Sequence, residues 1–545
     1  MNGLLFDAII RKGRIVDGTG NPWFRADVAI RDRRIAKVGR CATDEADEII
    51  DAEGLIVCPG FIDIHNHSEI HLIVNPNAAS MVTQGITTLV VGNCGFSSAP
   101  VTSKNRDLVY SPWWSKEVKP TWNTLAEYFN ILDKQGISVN VASLVGHGFV
   151  RGAIMGWEAR LPAEEELEQM KELVAEAMKD GAVGLSSGLT YPPGVWSDTH
   201  ELVELCKVVA TYGGFYATHD RGTPYMKAKF EAIEIGEKAG CPVQISHIET
   251  HTGSFGQQDA VLTLVEEARQ KGADVTFDVC TTIYGCGYFI GLVIPPWGLE
   301  GGAPRILERV SDPATRTKMR ESMEKSRRQP AWDNIIVHRQ RSHPEFSGKT
   351  VARIAKEGGK DPWDASYDML KDDELDCVEI FAAVKGHDDD DLRKAITHPF
   401  AMPNTDSWLE APYGLLARGT THPRAYGGFT IVFRKWVRGI TRPDMPEEIG
   451  VKILTVEDTV RKMTSLPAQR LGLQDRGLIR EGMYADIVVF DKKKIADKAN
   501  YFGNTMVYSE GVNYVFVNGG IVIEKGEHIG SLPGKVMRGP VYKAP

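Results

Sequence analysis

His65-Asn66-His67 closes an apolar run, PGFID, that leaves a Cys-Pro-Gly turn. On an extended strand, residues two apart point to the same side. Both imidazoles can therefore converge on one cation, with Asp63 on the same face. Cys94 in VVGNC, His219 in YATH and His247 in QISH occupy the same relative place, the C-terminal tip of a short apolar run. Asp406 ends another such run, PNTD. Taken singly, each has an ordinary reading: a small buried cysteine, a satisfied histidine, a helix-capping aspartate. Together, six metal-type residues at five strand tips point to a metal centre.

Imidazole nitrogen suits zinc, copper, iron or nickel, and a thiolate tilts the choice to zinc over magnesium or calcium. His65, His67, Cys94 and Asp406 are expected to hold one ion. Cys94, His219 and His247 are expected to hold another, with the thiolate shared, so one or two Zn2+ ions are expected. Zinc lowers the pKa of a bound water toward about 7. Asp406 then stands where a carboxylate could take that water's proton and pass it to a leaving nitrogen. That chemistry is hydrolysis of an amide-like bond.

Catalytic groups at strand tips need strands that end together. Eight short runs qualify: CPGFIDIHNH, TTLVVGNC, VNVASLVGHG, AVGLSSG, FYATHD, VQISHIE, DVTFDVC and FAMPNTD. Most are followed by a polar or glycine-rich loop and then a helical pattern. The stretch Glu164 to Lys179 has the 3.6-residue period, with acids first and lysine last. Eight β/α units closing on themselves predict an α/β fold of the (β/α)8 TIM-barrel type, whose strand tips carry the active site. The alternative is an open doubly wound sheet; its nucleotide-binding form would want a GxGxxG or Walker loop, and neither is present.

Both ends of the chain read differently. DAIIRKGRIV and ADVAIRDRRIAKVG near the start, and ADIVVFD and NYVFVNGGIVIEKG near the end, alternate apolar with polar, with Asn518-Gly519 as a hairpin turn. A small β-sandwich built from both termini, residues 1–58 plus 478–545, is expected around a barrel spanning 59–477. Two independent β appendages are the alternative. Between the seventh and eighth runs the spacing is too long, which predicts an insertion at about 287–385 on the barrel face where loops gather.

Composition bounds the partners. The 545 residues carry 63 basic and 72 acidic side chains, a net charge of -9. Such a chain has no general pull on nucleic acid or on an anionic membrane. Hydrophobic residues at 42% and charged residues at 25% exclude disordered and low-complexity classes. Eight scattered cysteines without a CxxC argue against a secreted disulfide framework. The start, MNGLLFDAIIRKGR, lacks the pattern of a signal peptide. No apolar run reaches the roughly 18 residues that span a bilayer. A soluble, cytoplasmic protein acting on a small-molecule amide is expected; a homo-oligomer fits its size, although no interface is legible.

At these residues the chain resembles the amidohydrolase superfamily and, within it, the N-acyl-D-amino-acid deacylases (D-aminoacylases). PGFIDIHNH is similar to the family's PGFIDxHxH, and VVGNCGFSSAP to its strand-two motif, where a cysteine replaces the carboxylated lysine of many relatives. GLSSGLTYPPG with Tyr191, ATHDR, ISHIE, HPRAYGGF, RKMTSLPAQRLGLQDRGLIREGMYADIVVFD and LPGKVMRG follow in family order. The resemblance implies a tight zinc on Cys94, His219 and His247. It implies a second, often weaker or empty, position at His65, His67 and Asp406, with Asp406 as general base and acid. It also implies that Arg424 of HPR holds a substrate carboxylate.

The departures bear on substrate. The family lysine two after the strand-six histidine is Glu249, the tyrosine of DVYPY falls on Cys280, the serine six further on falls on Cys286, and SDG is Thr405-Asp406-Ser407. A carboxylate clamp without those donors loses about 1–3 kcal/mol for each, and Glu249 would repel a carboxylate. Altered side-chain or acid recognition is therefore expected at Arg424, Glu249, Cys280, Cys286 and Tyr191. A cyclic amide hydrolase of hydantoin, imide or lactam type is the alternative activity. A deaminase is disfavoured, because Asp220-Arg221-Gly222 follows His219 where deaminases place a glutamate three residues on. A non-catalytic structural relative is disfavoured by the intact ligand set. His71, His147, His251 and His422 are weaker site candidates, and His200, His338, His343, His387, His398 and His528 read as surface or structural residues.

Overall fold

The computed structural model describes residues 5–42, 44–106, 118–325, 331–417, 419–539 and 542. Its centre is a set of parallel strands: Phe61–Asp63, Ile86–Val91, Asn140–Ser143 continued by Val145–Gly146, Gly184–Gly188, Phe215–His219, Val243–Ile245, Val275–Cys280 and Ala401–Asn404. Each pairs with the next in sequence order. The last returns to the first through a parallel bridge between Asn66 and Ser407. All eight expected runs are thus strands, and all their tips face one way. Ile86–Val91 is buried at every position, as a strand covered on both faces must be, and Leu89, Val90 and Val91 follow one another without polar alternation.

The connecting helices carry their own stop and start signals. Thr124 and Glu127 form a reciprocal capping box ahead of Leu125–Gln135. Asp198 caps Thr199–Thr211. Glu164–Asp180 begins with three glutamates and ends at Gly181 with φ at 113°, a conformation only glycine adopts without strain.

CPGFIDIHNH, expected as one strand, is divided. Ile56–Pro59 belongs to a sheet built from the chain ends, and Phe61–Asp63 starts the parallel set. The break is Gly60, where a Cβ would lie 2.1 Å from Thr87 Oγ1. The end sheet has nine strands, five from the N-terminal stretch and four from the C-terminal one. Its seam is the antiparallel pair Ile56–Pro59 and Ile487–Phe490. Asn518 and Gly519, with φ of 48° and 79°, turn Val512–Val517 into Gly520–Glu524, as a two-residue primed hairpin requires. This sheet is pinned to the parallel set through Asn518, whose Nδ2 donates to Asn140 Oδ1 at 2.7 Å.

Between the seventh and eighth parallel strands the chain builds a three-stranded antiparallel sheet from Tyr284–Tyr288, Ile335–Arg339 and Phe381–Lys385. Helices cover it around a separate apolar cluster that includes Phe289, Ile306, Trp363 and Leu370. It begins three residues before the expected 287. Its root is held by Glu448, which accepts from Ile283 N at 2.9 Å, Tyr501 OH at 3.2 Å and Lys435 Nζ at 2.6 Å. Lys435 Nζ also lies 2.8 Å from Asp389 Oδ1. Among the described residues no helix is long and apolar enough to cross a membrane.

Lys435 and Glu448 are both fully buried. Without Glu448, Lys435 keeps Asp389 as its counter-charge, but Ile283 N and Tyr501 OH lose their acceptor, and a buried donor left unsatisfied costs about 1–3 kcal/mol. Glu448→Ala is therefore expected to lower the unfolding free energy by about 2–5 kcal/mol, read from urea titration. A change within about 0.5 kcal/mol would show that the pair does not hold this root.

Candidate metal centre

The C-terminal ends of the parallel strands bring the expected ligands together. Cys94 Sγ lies 3.2 Å from His65 Nε2, 3.8 Å from His219 Nδ1 and 3.8 Å from His247 Nε2. His67 Nε2 lies 3.2 Å from Asp406 Oδ1. Two groups result, His65–His67–Cys94–Asp406 and Cys94–His219–His247, with ligand atoms in each within 4.8 Å of one another. In a tetrahedral zinc site with bonds of about 2.0–2.3 Å, ligand atoms stand about 3.3–3.8 Å apart. The 3.8 Å sulfur–nitrogen distances to His219 and His247 fit that spacing, and the 3.2 Å to His65 falls just below it, so both groups could hold zinc.

Local backbone aims these side chains. Cys94, His247 and Asp406 all have positive φ, at 53°, 33° and 41°. Non-glycine residues hold that region only where their surroundings enforce it. Gly188 lets Cys94 approach, since a Cβ there would meet Cys94 O at 2.0 Å. His65 and His67 lie just past Phe61–Asp63, where alternation continues through His67 N to Ser407 O at 2.9 Å and Asp406 N to His65 O at 3.0 Å.

Two of the imidazoles are turned by a partner on the far nitrogen. His65 Nδ1 lies 3.2 Å from Asp278 Oδ1, which leaves Nε2 toward the sulfur. His219 Nε2 lies 2.6 Å from Thr190 Oγ1, which leaves Nδ1 toward the sulfur. Asp278 also accepts from His247 N at 2.8 Å and Gln244 Nε2 at 3.0 Å. Such partners fix ring orientation and tautomer in metal sites. Burial opposes a charge on the Cys94 thiol, but the charge of His65 and hydrogen bonds from the three histidines outweigh it and hold the thiol well below its ordinary value. Burial likewise works against the Asp406 carboxylate, and Arg424, His65 and His67 overcome it. The cluster thus presents the anionic sulfur and oxygen that a cation needs.

Asp63 stands apart from both groups. It accepts from Asn66 Nδ2 at 3.0 Å and Thr405 Oγ1 at 2.5 Å, tying the first strand to the eighth. Arg424 is buried, with Nη2 3.0 Å from Asp406 Oδ2 and Nη1 3.9 Å from Cys280 Sγ. Cys280 Sγ lies 3.8 Å from Asp406 Oδ2. Glu249 is buried; one oxygen accepts from Cys280 N at 3.2 Å and the other lies 3.9 Å from His387 Nε2. Tyr191 packs its ring 4.7 Å from that of His219. Cys286 lines a small adjoining cavity with His71 and His422. Arg424 and Cys280 thus contact Asp406 directly, and Glu249 contacts Cys280.

Other expectations fared differently. His147, which has no partner in the sequence pattern, bonds Glu201 at 2.7 Å. His338, read as surface or structural, is buried and lines the same cavity. Sequence reasoning passed over Asp278, Thr190, Arg339, Trp408 and Glu410. Asp278 left one signal, an acid two residues before Cys280 in an otherwise apolar strand. Arg339 and Glu410 meet across 71 positions, a separation no local pattern reports.

A model of the amidohydrolase family matches residues 48–219 and 430–523. N-acyl-D-glutamate deacylase of Alcaligenes xylosoxydans xylosoxydans is 32% identical, with 98% of this chain and 96% of that protein covered. A solved structure of N-acyl-D-glutamate deacylase from Bordetella bronchiseptica, complexed with zinc and a phosphonate that mimics the tetrahedral intermediate, is 30% identical. It covers 98% of this chain and 99% of its own, with a TM-score of 0.80. A D-aminoacylase structure, 29% identical with a TM-score of 0.79, covers 98% of this chain and 100% of its own; its binuclear metal centre shows one-metal activation and second-metal attenuation. The chain belongs to the amidohydrolase superfamily and, within it, to the N-acyl-D-amino-acid deacylase (D-aminoacylase) family.

Proposed function

We propose that the protein is a zinc-dependent amidohydrolase that opens the C–N amide bond of an N-acyl-amino-acid-like small molecule. The observation that carries this is one buried sulfur, Cys94, within 3.8 Å of three imidazole nitrogens, with a carboxylate, Asp406, beside the same cluster. In this reading the eight parallel strands are a (β/α)8 barrel over 59–477. The end sheet, 1–58 with 478–545, is the β-sandwich of the family. The segment of about 287–385 is an insertion over the strand tips. The return bridge between Asn66 and Ser407 supports closure.

Cys94, His219 and His247 would hold one ion, and His65, His67 and Asp406 with the Cys94 sulfur would hold a second. Zinc held there would polarise the scissile carbonyl and lower the pKa of a water toward about 7. Asp406 is ionised and sits where it can accept a proton at one oxygen; Arg424 holds the other at 3.0 Å. The same carboxyl then returns the proton to the departing nitrogen. Arg424 is the cation available for a substrate carboxylate, and Glu249, Cys280, Cys286 and Tyr191 shape the space around it. Asp278 positions His65 and His247 and touches neither substrate nor metal.

Three outcomes are expected. Chelation should abolish hydrolysis of N-acyl amino acids and zinc should restore it, with at least about one zinc per active chain by metal analysis; full activity at under about 0.5 zinc per chain would overturn the reading. Cys94→Ala should lose zinc, whereas Asp406→Asn should keep zinc on Cys94, His219 and His247 and lower kcat by about 10²–10⁴. Near-normal turnover of Asp406→Asn would remove its base role. Asp278→Asn should weaken zinc affinity by about 10–100-fold, measured by competition with a chromogenic chelator; unchanged affinity would mean that it positions nothing.

A further inference from the structure

Beside the ligand cluster lies a cavity of about 40 Å³. His338, Arg339 and Phe381 line it from the inserted segment, and Trp408, Glu410 and His422 from the chain after the eighth strand. It adjoins the site directly. The Trp408 ring is 5.9 Å from that of His67, and His422 Nδ1 accepts from Arg424 N at 3.1 Å.

Two polar atoms of this lining are buried without a hydrogen-bond partner among the described residues: Glu410 Oε2 and His338 Nε2. The other end of each group is held. Glu410 Oε1 accepts from Arg339 Nη2 and from Thr421 Oγ1, and His338 Nδ1 lies 3.2 Å from Thr420 Oγ1. Buried polar atoms are nearly always paired, so two orphans on one cavity call for a guest or for water. The lining also carries no uncompensated charge among its described residues. Glu410 balances Arg339. Burial, with Arg339 and Arg424 nearby, pushes His338 down to about 3, and burial with Arg424 keeps His422 well below its ordinary value, so both rings are neutral.

An acidic head entering here would face the free oxygen of Glu410 with no spare cation. An apolar head would leave both orphans unpaired. A carboxamide satisfies both, its N–H₂ donating to Glu410 Oε2 and its carbonyl oxygen accepting from His338 Nε2–H, in the tautomer whose Nδ1 accepts from Thr420 Oγ1. We propose that this cavity receives the substrate's variable group and that the group is a small neutral donor–acceptor head of carboxamide type, with a second carboxylate rejected. The inference rests on the deacylase reading above. The volume is about that of one or two waters, which suits a head of this size and makes water the competing occupant.

The test is kcat/KM of the zinc-loaded enzyme on N-acetyl-glutamine, N-acetyl-glutamate and N-acetyl-leucine, each in D and L form. The glutamine compound is expected to exceed both others by at least about tenfold, because a site built to hydrogen-bond rejects analogues lacking the bond. Glu410→Gln, which frees the charge of Arg339, should shift the ratio toward glutamate by at least about tenfold. His338→Phe should erase the advantage of glutamine over leucine while zinc content stays normal, and this keeps the test open should Glu410→Gln fold poorly. Glutamate turned over as well as glutamine, or all three within about threefold, would mean that the cavity holds water only, and the proposal would fall with the deacylase reading intact. Hydrolysis of none would sink the deacylase reading instead; calorimetric Kd values for the same compounds on the zinc-loaded protein then decide the subsite by the same ratios.

Discussion

A sulfur anion buried in protein is tolerated only if donors or cations surround it. That constraint organises the centre of this molecule. Cys94 is reached by imidazole nitrogens from three other strand tips, and each approach demands something of the scaffold. The strands must end together, which the sequential parallel pairing provides. The tips must turn sharply, and positive φ at Cys94, His247 and Asp406 does this at a local cost. The rings must face inward, which Asp278 and Thr190 ensure from behind. Removing any one of these leaves the sulfur short of a partner, so fold and centre are parts of one electrostatic solution.

The same rule governs the surroundings. Arg424 faces Asp406, Arg339 faces Glu410, and Lys435 faces Glu448 and Asp389. Each buried cation is matched where it stands. Relatives at about 30% identity include an N-acyl-D-glutamate deacylase, a name that implies recognition of an acidic side chain. Here no cation lining the adjoining cavity is left over for that task among the described residues, and Glu249 brings a further carboxylate beside Cys280. Charge matching thus separates the centre, rich in ligands for a cation, from the adjoining cavity, where Arg339 is already matched by Glu410.

The metal-type residues were legible because strand tips report themselves locally. An apolar run ending in histidine, cysteine or aspartate needs only its own few residues to be seen, and the groups read from sequence are those that assemble. The hairpin at Asn518-Gly519 and the helix at Glu164–Asp180 were legible for the same reason. What the sequence hid was pairing across distance. Asp63 shares the face of His65, yet its hydrogen bonds run to Thr405, a strap that alternation cannot distinguish from a ligand. Asp278, Glu410 and His338 take their meaning from residues many positions away. The division at Gly60 depends on the approach of Thr87, which no propensity encodes.

That distinction bears on how such a centre can change its substrate. The ligands stand on strands held on both sides, so altering one disturbs the ladder and the charge balance together. The adjoining cavity is assembled mainly from two pieces, the inserted segment and the chain following the eighth strand, with His71 from the chain after the first strand. Their relative position is set by contacts outside the ligand set, among them His422 Nε2 at 3.2 Å from Tyr284 O and Glu448 at the root of the insertion. Residues such as Cys286, His338 and Glu410 can therefore be exchanged without moving a metal ligand. In this chain the positions that depart from the family pattern fall around Arg424 and Asp406, while the six expected ligands remain. Of the departing positions, Cys286 stands on the inserted sheet, whereas Glu249, Cys280, Thr405 and Ser407 stand at the strand tips beside the expected ligands.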